Sequence, residues 1–154
     1  MVSTTTSTKI QTSLLRFLFW SNSAACSITR YSLHTKKTTA LLTKNTDCPD
    51  GLDVDTLEER IYWFTPTPPK TLHSFRYNGT DKRTHYADGN MFTYTYTLMR
   101  VEKLLYWGGY NFCMKFYDLP SNTAHHVNCS QSRLVSFAHY KKGAWLVLYI
   151  KVPL

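Results

Sequence analysis

The chain lacks several features that define common functional classes. Its first 46 residues contain no Asp or Glu. It has no Gly-x-Ser-x-Gly nucleophile turn, no phosphate-binding glycine loop and no dinucleotide-binding fingerprint. Its apolar runs all stop short of the ~18 residues that a membrane-spanning helix needs. We therefore expect a protein that is not an enzyme, binds no cofactor and has no transmembrane segment.

The net charge of +8 over 154 residues is concentrated near the start of the chain. Residues 1–46 carry six Lys and Arg residues and no acid, whereas residues 47–154 carry 12 Lys and Arg against 10 acids. A nucleic-acid-binding domain normally presents its basic residues on a folded face. The charge distribution therefore predicts that nucleic acid is not a partner.

Residues 1–46 have the Ser/Thr-rich, basic composition of a targeting or disordered segment. As a secretory signal, the segment would use the apolar stretch Leu14–Trp20 and a cleavage site at Ser23-Ala24-Ala25. An organellar transit peptide fits the same composition. We predict a leader or disordered segment over 1–46 and a single β-rich domain over 47–154, secreted or alternatively organelle-targeted.

Strand patterns dominate the rest of the chain, in which aromatic residues are common at 15% overall. Within Met91–Leu119, aromatic and other apolar residues occur at every second position in two separate runs. This pattern predicts a three-strand antiparallel meander with an aromatic inner face. Gly108-Gly109 would form one of its turns, and Asp118–Asn122 would end it. The prediction places Tyr117 on the outer face of the meander and Phe116 on its inner face.

Further strands and one helix complete the predicted fold. Acids near the positive end of a helix favour a short helix over Asp55–Arg60. We recognise no internal repeat. The predicted fold is mainly β, an antiparallel meander or a lipocalin-like β-barrel, complete or incomplete, with the short helix before its first strand. The other predicted strands are Arg60–Thr65, Leu72–Tyr77, Arg83–Tyr86, Arg133–Tyr140 and Ala144–Val152.

The aromatic face of the central meander is the candidate binding site. A barrel of about eight strands has an interior wide enough for one small ligand. Tyrosine offers apolar area and a hydroxyl that orients a polar ligand, and an amine ligand would also need an acid. In the alternative interpretation, these rings only fill the core. The predicted ligand-binding residues are Phe92, Tyr94, Tyr96, Glu102, Tyr106, Phe112 and Phe116.

Cysteines and glycosylation sequons favour an oxidising, secreted setting. Four cysteines allow three full pairings, and the disulfide candidates are Cys48, Cys113 and Cys129, with Cys113–Cys129 as the favoured pair. Asn78 and Asn128 each begin an Asn-x-Ser/Thr sequon. Reduced, buried thiols are the alternative. We predict no metal site, because His125-His126 and Cys129 lack the Cys-x-x-Cys spacing of structural zinc.

The central stretch resembles the tick salivary lipocalins, the family that includes the histamine-binding proteins. The resemblance rests on Val101–Tyr106, Tyr110–Phe116, Arg60–Trp63 with the following Thr65, and Asn128–Gln131, and it covers about residues 58–131. It implies an antiparallel barrel that holds host amines or lipids, in a salivary protein. The family's late cysteine is absent here, so Cys48 lacks the partner that the resemblance implies.

These observations predict a secreted protein that sequesters a biogenic amine or a small apolar ligand. Its partner would be that ligand alone, and its oligomeric state stays open. Two alternatives are kept. The chain is a secreted interaction protein with a filled core that acts through surface loops, or it is an orphan reading frame without a selected biochemical function.

Overall fold

The computed structural model describes residues 7–11, 17–43, 48–65, 69–88, 95–101, 103–109, 113–129, 133–141 and 144–150. Within these residues every regular element is a β-strand. The strands are β1 (Ser7–Gln11), β2 (Phe17–Asn22), β3 (Ser27–Ser32), β4 (Thr38–Leu42), β5 (Asp50–Asp55), β6 (Arg60–Phe64), β7 (Lys70–Arg76), β8 (Arg83–Asp88), β9 (Thr95–Val101), β10 (Leu104–Gly109), β11 (Cys113–Asp118), β12 (Thr123–Cys129), β13 (Arg133–Lys141) and β14 (Ala144–Ile150).

The strands form antiparallel meanders in the order of the sequence. We name the four-stranded sheets sheet 1 (β1 to β4), sheet 2 (β5 to β8) and sheet 3 (β9 to β12), and the β13–β14 pair sheet 4. The chain divides into two compact units, Met1–Gly89 with sheets 1 and 2, and Asn90–Leu154 with sheets 3 and 4. In the second unit, β13 lies close to β9 and β10.

The mainly β, antiparallel meander fold is confirmed. Each strand predicted outside the central stretch coincides with an observed strand to within a few residues. The described strands nevertheless lie in four separate sheets and do not form one closed barrel. No helix in the described part of the chain has the length and hydropathy to cross a membrane.

Two local predictions are wrong. The helix predicted over Asp55–Arg60 is the end of β5, a turn over residues 56–59 and the start of β6. Glu59 has φ 52° there, which is incompatible with a helix. Gly108-Gly109 is not a turn, because both glycines lie in β10, where Gly108 pairs with Thr97 and Met114.

The segment predicted as a leader or disordered region is folded in its described part. Residues 17–43 supply three strands of sheet 1, and the boundary between compact units follows Gly89 rather than residue 46. Ser23–Ala25, predicted as a cleavage site, lies in the turn between β2 and β3. A chain that began at Cys26 would lack β2 and its buried Phe19.

The three four-stranded sheets share a repeat that the sequence prediction missed. In each sheet the second strand carries an aromatic residue followed by Trp, at Phe19-Trp20, Tyr62-Trp63 and Tyr106-Trp107. The turn between the third and fourth strands carries a residue with positive φ in every sheet. These residues are Lys36 (57°), Gly79 (84°) and Asn122 (60°). The three sheets thus repeat the same supersecondary structure, although their sequences share few identical residues outside these positions.

The first unit is held together by an apolar core between sheets 1 and 2. The ring of Phe19 lies 4.8 Å from that of Tyr77, centroid to centroid, and the rings of Trp63 and Phe75 are 4.7 Å apart. Arg30 in β3 also donates a 3.0 Å hydrogen bond to the carbonyl of Tyr77. The buried core residues are Phe19, Ile28, Leu42, Leu52, Val54, Ile61, Trp63, Phe75 and Tyr77.

One disulfide joins the two sheets of the first unit covalently. Cys48 is a disulfide residue, as predicted, and its partner is Cys26 in the β2–β3 turn. The bond closes a loop with a sequence separation of 22 residues and fixes the entry to β5 against sheet 1. Of the three possible full pairings of the four cysteines, the one that contains Cys26–Cys48 pairs Cys113 with Cys129.

We expect Phe19→Ala to destabilise the protein by about 3 to 5 kcal/mol, because it empties a fully buried ring site between sheets 1 and 2. Chemical denaturation of the full chain measures this free energy of unfolding. The matched control, Leu33→Ala, removes an exposed side chain and should change it by less than about 0.5 kcal/mol. Equal stability of the two variants would contradict a structural role for sheet 1.

The register of sheet 3 predicts a second disulfide. Cys113 in β11 is directly opposite Cys129 in β12, and opposed residues of antiparallel strands have Cα atoms ~4.5 to 5.5 Å apart, within the range of disulfides. We expect peptide mapping of the protein, purified without reductant, to recover the Cys113 and Cys129 peptides linked. Free thiols at both positions would contradict the pairing. Cys26–Cys48 serves as the internal control for oxidation.

Candidate functional site

Sheet 3 has two faces of different character. On one face Leu105, Trp107 and Tyr117 are fully or almost fully buried. On the other face Tyr106 and Phe116 are half-buried and His125 is exposed. Alternation along β10 and β11 puts neighbouring residues on opposite faces, so these two sets do not mix. The prediction for β11 was therefore inverted, since Tyr117 is buried and Phe116 is partly open.

Three rings form a continuous row across the open face of sheet 3, and we call Tyr106, Phe116 and His125 the ring row. The register places Tyr106 opposite Phe116, and Phe116 opposite His125. The centroids of the first two rings are 5.6 Å apart. Phe116 and His125 stack at 4.8 Å with 21° between their planes. The row thus presents aromatic edges and faces along one line.

The exposed end of the ring row is held in place by hydroxyl groups of the β11–β12 turn and of the start of β12. His125 Nε2 lies 2.9 Å from Thr123 Oγ1, which lies 2.7 Å from Ser121 Oγ. On the opposite face, the Tyr117 hydroxyl donates a hydrogen bond to the Asn122 side chain. Hydrogen bonds of this kind restrict side-chain rotamers before any partner is bound. Less conformational entropy is then lost when a partner makes contact.

The predicted ligand-binding residues are brought together only in part. Tyr106 and Phe116 are neighbours in the ring row, and Tyr96 lies in β9 of the same sheet. The other four, Phe92, Tyr94, Glu102 and Phe112, lie outside the described residues. Binding by this set of seven residues stays a prediction.

A buried polar cluster lies in sheet 2. The Arg60 side chain is 2% exposed, and its Nη1 is 2.7 Å from Asp81 Oδ2. Arg60 also donates from Nε and Nη2 to the Ser74 hydroxyl, at 3.1 and 2.9 Å, and from Nη2 to the Asp81 carbonyl, at 2.7 Å. A buried guanidinium is tolerated only when its donors are satisfied in this way.

The hydrogen bonds of Ser74 fix the protonation of His85. The Ser74 oxygen accepts two N–H groups of Arg60, so its own proton is directed at His85 Nε2, 2.7 Å away. Nε2 is therefore the unprotonated nitrogen of a neutral ring. Burial, followed by the positive charge of Arg60 and then of Arg83, lowers the pKa of His85 to about 4.

The acidic residue of the cluster, Asp81, interacts with more than one arginine side chain. Arg83 donates to Asp81 from Nε at 3.1 Å and from Nη2 at 2.7 Å, and Arg76 Nε approaches it at 3.6 Å. Hydrogen bonds from Arg83 and then Arg60 lower the pKa of the Asp81 carboxyl. The hydrogen bond to Asp81 is also the main reason that the pKa of Arg83 is raised.

The cluster holds its serine in the interior of sheet 2. Ser74 has no exposed surface, and it is already hydrogen-bonded to both Arg60 and His85. A serine nucleophile must reach a reacting atom while its base is oriented by a third group. Sequence reasoning missed this cluster because the bonded pairs Arg60–Asp81 and Ser74–His85 are 21 and 11 residues apart and share no motif. In the described part of the chain, no group of three metal-ligating side chains comes together.

Comparison with known proteins identifies solved structures with a similar fold, but it identifies no family for this chain. No protein-family model matches the chain, and no curated protein matches its sequence. A crystal structure of a nidogen/laminin complex is similar, with 20% identity and a TM-score of 0.61, over 73% of this chain and 44% of that chain.

Two further solved structures share the fold. The computationally designed protein Ika8 is 9% identical, with a TM-score of 0.63, over 86% of this chain and 39% of that chain. A structural-genomics protein from Bacteroides thetaiotaomicron is 12% identical, with a TM-score of 0.60, over 71% and 28%. This chain spans less than half the length of each of the three.

Acid should destabilise the protein through His85. Its pKa falls from 6.5 in the unfolded chain to about 4 in the folded chain. Between these pH values the unfolded chain binds a proton that the folded chain does not, so stability is lost as the pH falls. Above pH 6.5 the contribution does not vary with pH.

We expect His85→Gln, which keeps an acceptor for Ser74, to reduce the loss of stability between pH 7 and 4 by on the order of 1 kcal/mol, since the half-exposed ring is screened by solvent. Denaturation at a series of pH values measures this difference. His34→Gln, at an exposed position in the β3–β4 turn, is the matched control. An acid profile of His85→Gln that matches the wild type would refute the assignment.

Proposed function

We propose that this chain is part of an extracellular protein-binding repeat protein, in which sheets 1 to 3 are successive repeats and the ring row of sheet 3 contacts a protein partner. The observation that carries the proposal is the repetition of one four-stranded meander with a filled core. The interaction protein was an alternative in the sequence analysis, and it is now preferred to ligand sequestration.

The repeat length supports this class of protein. Trp20, Trp63 and Trp107 recur at intervals of about 43 residues, and repeats of ~40–45 residues with four antiparallel strands are typical of β-propeller blades. Proteins of this architecture are stabilised by contacts between neighbouring repeats, and their loops and exposed faces are free to bind partners. The similar nidogen/laminin structure is itself a complex between two proteins.

Within the first unit, the packed core favours binding at a surface over binding in a cavity. Between sheets 1 and 2 the rings of Phe19 and Tyr77, and of Trp63 and Phe75, are in direct contact. Rings at such distances pack against one another and occupy the space that a ligand would need. Sequestration of an amine by a lipocalin-like barrel stays the second proposal, because Tyr106 and Phe116 are neighbours in sheet 3.

The chemistry of the ring row suits a protein partner. Aromatic side chains are enriched in the centres of interfaces, where they bury a large area at a low cost in rotamer entropy. The stacked pair Phe116 and His125 is already ordered before binding. An extracellular setting is supported by the Cys26–Cys48 disulfide, since such bonds persist in oxidising compartments.

The test is a binding screen with the purified full chain, oxidised and monitored by near-UV circular dichroism. A panel of purified extracellular-matrix and cell-surface proteins, laminin among them, is measured against the wild type and Phe116→Ser. Leu33→Ser is the matched control, because it changes an exposed apolar residue in the other unit. Histamine, serotonin and a fatty acid are titrated in parallel, with Tyr106→Ala as the variant.

We expect at least one protein to bind with a Kd that Phe116→Ser raises by about tenfold or more and that Leu33→Ser leaves unchanged, as for a central aromatic contact. Equal weakening by both variants would place the site elsewhere. Failure of the whole panel to bind would overturn the proposal. Saturable binding of a small ligand that is lost in Tyr106→Ala would instead establish sequestration.

A further inference from the structure

The turn between β7 and β8 holds the sequon Asn78-Gly79-Thr80 in a specific conformation. Asn78 Oδ1 accepts two hydrogen bonds from Thr80, one from the backbone N–H at 3.0 Å and one from the hydroxyl at 2.7 Å. Gly79 has φ 84° and donates its N–H to the Arg76 carbonyl at 2.8 Å. Asn78 and Thr80 are both exposed.

We propose that Asn78 is the acceptor of an N-linked glycan. The donor would be an oligosaccharide linked through a diphosphate to a lipid, used by a membrane-bound transferase of the secretory pathway. The Asn78 amide nitrogen forms a bond to the anomeric carbon, and the bond from that carbon to the diphosphate oxygen breaks. The lipid diphosphate leaves with the electron pair, and the amide proton passes to a base of the transferase.

The observed geometry favours this reaction at the amide. As the amide nitrogen loses its proton, negative charge develops on the carboxamide oxygen. The two donors of Thr80 already point at that oxygen, and hydrogen bonds to a charged acceptor are stronger than neutral ones. A side chain without the hydroxyl would remove the shorter of the two bonds.

The arrangement does not depend on the folded sheet. Both hydrogen bonds join residues two apart in sequence, so a chain that is still being translocated can form them. Asn and Gly are also the residues that most readily adopt such turns. In the folded protein the side chain of Asn78 faces solvent, while Tyr77 beside it is 4% exposed and remains in the core. The fold therefore tolerates a glycan at this position.

The second sequon begins in a strand, whereas Asn78 lies in a turn. Asn128 belongs to β12, where it is paired with Met114. Asn128→Gln is therefore the internal comparison for Asn78→Gln.

A glycan on Asn78 would also restrict where a partner binds. It would cover the β7–β8 turn of the first unit, so a partner would have to use another surface, such as the ring row in the second unit. The glycosylation inference itself does not rest on the proposed function, because it follows from the sequon and its turn alone.

The experiment is translation of the full chain in the presence of endoplasmic-reticulum microsomes, with a cleavable heterologous signal peptide fused before Met1. The readout is the change in gel mobility that an endoglycosidase reverses, followed by peptide mapping of the modified site. The variants are Asn78→Gln, Asn128→Gln, Thr80→Val and Thr80→Ser. Thr80→Val matches the shape of threonine without its hydroxyl, whereas Thr80→Ser keeps the hydroxyl.

We expect Asn78→Gln and Thr80→Val each to remove a mobility step that Asn128→Gln and Thr80→Ser retain. A wild-type chain that is imported but shows no step, while a control glycoprotein is modified in the same microsomes, would overturn the proposal. A step that survives in Asn78→Gln and disappears in Asn128→Gln would also overturn it. Two steps in the wild type, one of which is lost in Asn78→Gln, would also support the proposal.

Discussion

The contact between Phe19 of β2 and the face of sheet 2 is the interaction on which the first unit depends. A four-stranded sheet on its own exposes both faces to water, and it becomes stable only when one of them is covered. Phe19 is completely buried, and its ring meets Tyr77 while Trp63 and Phe75 pack nearby in the same core. Sheets 1 and 2 therefore stabilise each other, and neither would retain this core alone.

The polar cluster of sheet 2 adds specificity to that apolar core. Placing Arg60 inside the sheet is costly unless Ser74 and Asp81 meet its donors in one geometry. An alternative register of β7 would turn Ser74 to the other face and leave a guanidinium unpaired, since a shift by one residue reverses every side chain. The cluster thus disfavours misaligned pairings of β6 and β7.

Alternating hydrophobic residues were enough to predict most strands from Arg60 onward, because side chains such as those of β10 alternate between a buried and a half-buried face. The strands before residue 47 were not predicted, because the Ser/Thr-rich, basic composition was weighed above the spacing of Phe17, Phe19 and Ile28. Composition reflects the solvent-facing residues of a sheet as strongly as it reflects disorder. The recurring aromatic-Trp pair, as in Tyr106-Trp107, could have revealed the repeat.

The candidate surface was harder to predict than the strands. Tyr106 and Phe116 were correctly grouped, because cross-strand neighbours follow from a hairpin register. Their face was assigned incorrectly, since a phenylalanine and a tyrosine on adjacent positions give no sign of which one is covered. His125 was considered only as a metal ligand. Its stacking on Phe116 depends on β12, a strand that was not predicted.

The Cys26–Cys48 bond has a consequence for the integrity of the chain. The loop that it closes contains the β3–β4 turn, where Leu33, Lys36 and Lys37 are all exposed. Exposed turns with lysines are the sites that proteases cut most readily. After a cut between Lys36 and Lys37, β2 and β3 would still be tethered to sheet 2 through sulfur. The two fragments would separate only where a reductant is also present, so proteolysis alone would leave the aromatic core assembled.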